Sequence, residues 1–82
     1  MATNIAQTHI DATGLACPLP LLKTKQWLAH AIPGEQLLIA TTDAGSRRDI
    51  PRFISSTHHV LVEERFDPQQ CVFIIEAGPR HA

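Results

Sequence analysis

The sequence has little of what would assign it to a specialised class. It shows no excess of positive charge: seven Lys or Arg stand against eight Asp or Glu, a formal net charge of −1 over 82 residues. Nucleic-acid binders draw affinity from neutralising phosphates and show a clear basic surplus, so direct nucleic-acid binding is not expected. No apolar run approaches the ~20 residues of a membrane span. Residues 1–7 contain no basic segment leading into an apolar stretch, so no export signal is expected either. Cysteine is scarce. Cys17 and Cys71 are too few for a disulfide framework, and in the cytoplasm implied by the missing signal they are expected as free thiols. A Cys-x-x-Cys pair is absent, which argues against dithiol redox chemistry. Aromatic residues are limited to Trp27, Phe53, Phe66 and Phe73, so the core must rest mainly on Leu, Ile and Val.

What is present describes one small domain over residues 1–82, with residues 1–7 and 79–82 expected as flexible tails. The apolar fraction of 44% is ordinary for a globular chain. A core of this size does not enclose a large cofactor, and none is expected. Five histidines (His9, His30, His58, His59, His81) lack the spacing to Cys or Asp that a zinc site uses. They are expected at the surface, with the adjacent His58 and His59 side chains diverging.

Residues 8–11 form a short strand candidate, followed by a turn at Thr13-Gly14 with Asp11 as its acceptor. Pro20, Leu21, Thr24, Trp27, Leu28 and Ala31 then recur at helical spacing as a buried face, with Lys23, Gln26 and His30 opposite. Pro33-Gly34 stops this helix. Residues 37–42 read as a strand. In the second helix, Ile50, Phe53, Ile54 and Thr57 supply the buried face. Pro51 leaves its start open: either the proline lies in the first turn with Asp49 as cap, or the helix begins at Ser46 and bends. Residues 60–66 and 71–77 read as strands joined by a hairpin connection at residues 67–70. Cys71, Phe73 and Ile75 share one face of the last strand, and Cys71 is expected to pack there. The predicted fold is α/β (α+β): a two-layer α/β sandwich of order βαβαββ, a four-stranded mixed sheet with two helices on one face.

The run Cys17-Pro18-Leu19-Pro20 is the strongest candidate for chemistry. A residue before proline is pushed toward extended backbone, so Cys17 stays outside the helix, while Pro18 suits the first helical position. That places Cys17 at a helix N-terminus, whose partial positive charge favours an anion and is expected to lower the thiol pKa. Pro18, Pro20 and Gly14 would position it. Cys17 read as a small buried hydrophobe is the alternative. Lys23 and Lys25 on the first helix and Arg47 and Arg48 on the second are expected as a basic collar around the sulfur, able to grip an acidic partner. No histidine is near Cys17 in sequence; His58 or His59 would have to approach in space.

The run Asp11-Ala12-Thr13-Gly14-Leu15-Ala16-Cys17-Pro18-Leu19-Pro20-Leu21-Leu22-Lys23-Thr24-Lys25 resembles the signature of the TusA (SirA-like) family of sulfur carriers. Pro33-Gly34-Glu35 and Arg48-Asp49-Ile50-Pro51-Arg52-Phe53 resemble it at similar spacing, so the likeness covers nearly the whole chain. Leu19 departs from relatives that carry an acidic residue there. The resemblance implies a βαβαββ fold and a sulfurtransferase without cofactor or metal, with Cys17 accepting sulfane sulfur as a persulfide. The donor would be a cysteine desulfurase or rhodanese, and the acceptor a protein such as a DsrE-like one. The pathway served would be tRNA 2-thiouridine formation, molybdenum-cofactor maturation or sulfur oxidation. A monomer suits a working surface that includes Leu19 beside Cys17. A non-catalytic adaptor using the Cys-Pro-Leu-Pro loop as an epitope is the competing reading, separable by the rate of Cys17 alkylation at neutral pH.

Overall fold

The computed structural model describes residues 7–79. Its elements follow the predicted order: β1 (Gln7–Ala12), α1 (Leu19–His30), β2 (Gln36–Thr41), α2 (Ala44–Ser55), β3 (Val60–Phe66) and β4 (Cys71–Glu76). Gln7 belongs to β1, so it is no part of a tail; the remaining expected tail positions other than residue 79 lie outside the described residues. β1 and β2 are parallel, pairing Ile10 with Ile39 and Ala12 with Thr41, and a parallel pair needs the crossover that α1 supplies. β4 inserts between β2 and β3, antiparallel to both, giving the order β1-β2-β4-β3. This is the expected mixed four-stranded sheet.

Burial follows the side-chain alternation of a strand. Leu37, Ile39 and Thr41 of β2 and Cys71, Phe73 and Ile75 of β4 point inward and are buried. They meet Leu28 and Ala31 at the end of α1 and Ile50 and Ile54 of α2 in one core. Pro20, Thr24 and Leu28 of α1 are buried, with Leu21 and Trp27 packed against the core, while Lys23, Gln26 and His30 are exposed. The buried hydroxyls are satisfied locally. Thr24 Oγ1 donates to the Pro20 carbonyl at 3.0 Å, and Thr41 Oγ1 accepts from the Asp43 N–H at 3.1 Å.

Both helix starts differ from expectation. α1 begins at Leu19, so Pro18 occupies the cap position and Pro20 stands in the first turn, where a missing N–H costs no helical bond. α2 begins at Ala44, with Asp43 as its cap and Pro51 in its interior. Asp43 accepts from the Ser46 N–H at 2.8 Å and the Ser46 hydroxyl at 3.1 Å, which fixes the start two residues earlier than Ser46 and frees Asp49 from capping. The interior proline is tolerated because Ile50 and Ile54 on either side of it are buried, and tertiary packing, more than propensity, stabilises helices in proteins.

His58 and His59 do not diverge. The chain bends there, between α2 and β3, and the two rings meet with centroids 4.1 Å apart. The Gly78 N–H donates to His59 Nδ1 at 3.0 Å. A Cβ on Gly78 would stand 2.1 Å from the His58 carbonyl oxygen, so Gly78→Ala must force the two segments apart. We expect it to cost about 1–3 kcal/mol, the range for inserting an extra carbon into a filled site, seen as a lowered melting temperature by circular dichroism.

Candidate functional site

Because β1 and β2 are parallel, both helices start from the same end of the sheet, and the site forms between the two helix starts. After β1 the chain turns at once. Asp11 Oδ1 accepts from the Thr13 N–H at 3.0 Å and the Thr13 hydroxyl at 2.6 Å. Gly14 follows at φ +81°, a left-handed conformation suited to glycine, and its N–H donates to Thr42 Oγ1 at 2.8 Å. That bond ties the loop after β1 to the loop after β2. A second turn, closed by Leu19 N–H to the Ala16 carbonyl at 2.9 Å, carries Cys17 and Pro18 at its exposed tip, with a cis peptide bond between them. Leu19 and Leu22 beside them are 44% and 46% exposed.

The sulfur leans across to α2. Cys17 Sγ donates to Asp49 Oδ2 at 3.6 Å, and a Cβ on Gly45 would lie 3.6 Å from Sγ. The same Cβ would stand 3.1 Å from Asp43 Oδ2, so the tight approach at Gly45 is to the Asp43 carboxylate. Asp43 joins the two loops: its carboxylate accepts from the backbone N–H groups of Ser46, Cys17 and Gly45, and these bonds hold it below the usual carboxylate range. The Cys17 thiol is raised, not lowered. Partial cover of the sulfur is the largest cause, followed by the hydrogen bond to Asp49 and the charges of Asp49 and Asp43, while Arg48 pulls the other way. The expectation of a lowered pKa assumed that the thiol faced the start of α1 alone; instead it faces two carboxylates.

The predicted basic collar separates. Arg48 acts on the sulfur, with its Nε 3.8 Å from Asp49 Oδ1. Arg47 turns to the β3–β4 hairpin, its guanidinium 4.8 Å from the Phe66 ring centroid. The Lys25 ammonium sits 5.0 Å over the Phe53 ring, and Lys23 is exposed on α1. His58 and His59 lie at the other end of the sheet: they precede Val60, which pairs with Glu76, whereas the Cys17 end carries Ala12 and the Thr41–Cys71 pair. Cys71 is a free, buried thiol. Among the described residues no group of three or more His, Cys, Asp or Glu is placed to hold a metal ion, and no helix is long and apolar enough to cross a membrane. The residues that sequence reasoning missed are Asp43 and Asp49. Asp43 carries a local signal, since Asp is among the favoured N-cap residues.

Three aspartates are held below their usual range by hydrogen bonds to nearby groups: Asp11, Asp43 and Asp67, which accepts from the Gln69 and Gln70 N–H groups. A lowered native pKa adds stability above the unfolded value of 3.8, and that stability is lost as pH falls through the lower native value. Urea midpoints are therefore expected to be level near neutrality and to fall below about pH 4. Asp67→Asn is expected to flatten that fall.

The fold and the site together define a small α/β domain that presents one exposed thiol between two helix starts. Residues 8–77 match the family described as sulfurtransferase TusA. The chain belongs to that family. Two proteins of Neisseria meningitidis, from serogroups A and B, each named "putative sulfur carrier protein", are 43% identical over 54 residues, 66% of this chain and 73% of theirs. The crystal structure of a SirA-like protein from Desulfitobacterium hafniense superposes with a TM-score of 0.74 at 24% identity, covering 88% of this chain and 99% of that one. It has the same fold.

Proposed function

We propose that this protein is a cytoplasmic sulfur carrier that accepts sulfane sulfur as a persulfide on Cys17 and hands it to a protein thiol. The observation that supports it most directly is the placement of the family's Cys-Pro-x-Pro turn: Cys17 is exposed at a tip bordered by the apolar side chains of Leu19 and Leu22. A tip reaches into a partner's active site, where an enclosed pocket would not. Leu19, Leu22, Lys23 and Arg48 then form the surface met by donor and acceptor in turn, with Pro18, Pro20 and Gly14 holding the turn.

Loading begins when the Cys17 thiolate attacks the outer sulfur of a donor persulfide R–S–SH on a cysteine desulfurase or rhodanese. The new bond joins Cys17 Sγ to that sulfur, the donor S–S bond breaks, and its electron pair leaves with R–S⁻, which takes the proton Cys17 gave up. The acceptor's thiol, for example on a DsrE-like protein, repeats the step on Cys17–S–SH. Sulfane sulfur changes hands without net oxidation, so no cofactor or metal enters. The choice among tRNA thiolation, molybdenum-cofactor maturation and sulfur oxidation lies with the acceptor.

The test is intact mass after incubation with a cysteine desulfurase and cysteine. The expected result is a gain of one sulfur atom, removed by a thiol reductant; no gain with any persulfide donor tried overturns the proposal. Alkylation speed does not separate a carrier from an adaptor here, because the acidic surroundings slow the resting thiol under either reading.

A further inference from the structure

The placement of two carboxylates beside a sulfur meant to act as a nucleophile needs an account. Asp49 is half-buried on α2, with Oδ2 accepting from Cys17 Sγ and Oδ1 facing Arg48. Asp43 is fixed at the start of the same helix by its backbone hydrogen bonds. The charged groups acting on the sulfur are thus Asp49 and Arg48 from α2 and Asp43 from the loop before it. The Arg48 side chain is 76% exposed, so solvent screens it more than it screens Asp49.

We propose that Asp49 is a positioning residue that holds unloaded Cys17 as an S–H hydrogen-bonded toward α2, and that a docking partner frees the sulfur by bringing a cationic side chain to the Asp43–Asp49 pair. This rests on the carrier reading and adds what the partner must supply. The physics is direct. An S–H group can donate to a carboxylate, whereas a thiolate cannot and would face two like charges. A Lys or Arg paired with Asp49 cancels the nearer charge and competes for the acceptor oxygen. Docking also excludes water, which strengthens that pairing. The proton leaving Cys17 ends on the donor's departing thiolate, so the loading step keeps the balance given above and needs no further reactant. Between encounters the protonated sulfur resists stray oxidants and electrophiles, which attack thiolates. The partner therefore places a cation at the Asp43–Asp49 pair itself, a local requirement on a helix whose Arg47, Arg48 and Arg52 are exposed.

Two measurements on the full chain test this, both read at the Cys17 peptide by mass so that Cys71 does not contribute. The first is the pH profile of alkylation by neutral iodoacetamide. Asp49→Asn is expected to move the midpoint down and raise the rate at pH 7 about threefold or more, and Asp49→Glu to restore the wild-type profile. If Asp49→Asn fails to fold by circular dichroism, Arg48→Gln, which removes the opposing cation, is expected to move the midpoint up. The second measurement compares a cationic with an anionic methanethiosulfonate of similar size. The wild type should favour the cationic reagent, and that preference should shrink in Asp49→Asn and at high salt. An unmoved midpoint in the folded variant, or no preference for the cation, overturns the proposal. Neither readout involves sulfur loading. A wild type that cannot be loaded would therefore remove the carrier reading alone, and an unmoved midpoint in a protein that loads would remove only the role of Asp49.

Discussion

Cys17→Ser, incubated with a cysteine desulfurase and cysteine, is expected to gain no sulfur above background while the wild type gains one atom. On the proposed reading the effect is complete, because the cargo would be held by one atom, Cys17 Sγ. A serine hydroxyl is not ionised at neutral pH and cannot form the S–S bond that stores the cargo. The variant should otherwise be normal: Cys17 is exposed, so the substitution leaves no cavity, and the turn bonds from Leu19 to Ala16 and from Gly14 to Thr42 are untouched. Its melting temperature is expected to match wild type. Cys71→Ser is the matched control. Cys71 is 1% exposed and its thiol is raised chiefly by burial, so this variant should lose stability and, where folded, keep loading. Sulfur uptake at wild-type level by Cys17→Ser would end the assignment.

Phe73→Ala is expected to produce the largest loss of stability. Phe73 is fully buried at the centre of β4, opposite Ile39 of β2, and meets Phe66 edge-on with ring centroids 6.2 Å apart. Removing a buried phenyl ring costs about 3–5 kcal/mol, while a chain of this length has roughly 4–12 kcal/mol in total. The variant should melt more than about 12 °C below wild type or fail to fold at 37 °C, losing sulfur loading as a consequence. A loss under about 1 kcal/mol in urea titration would mean that the neighbouring residues collapse into the space and that Phe73 does not anchor the core.

These two expectations show what was legible in the chain. The alternation of Cys71, Phe73 and Ile75, and the spacing of Pro20, Thr24, Leu28 and Ala31, are local patterns with one physical meaning, and the structure buries all of them. The Cys-Pro-Leu-Pro turn was equally plain. The surroundings of Cys17 were not, because Asp49 reaches it across 32 residues and nothing in the first helix announces which side chain of the second will face it. The supposed collar failed for a related reason. Arg47 and Arg48 are adjacent in sequence, but successive helical residues point about 100° apart, and one went to Phe66 while the other stayed with the thiol. The start of α2 stayed open in the sequence because Pro51 fits either a first turn capped by Asp49 or the interior of a bent helix; the Asp43 cap and the buried Ile50 and Ile54 place it in the interior, with the start at Ala44, two residues before Ser46.

The pairing of β3 with β4 shifts register between Leu61 and Glu63, at the outer edge of the sheet. Val60, Val62 and Phe66 on that strand are all about half exposed, which on a flat, regular strand would invite a second sheet to zip alongside. The irregular step, together with Glu63, Glu64 and Arg65, spoils the ladder such a growth would need. On the carrier reading proposed above, an edge that does not template growth would leave the Cys17 tip free to meet its partners in turn.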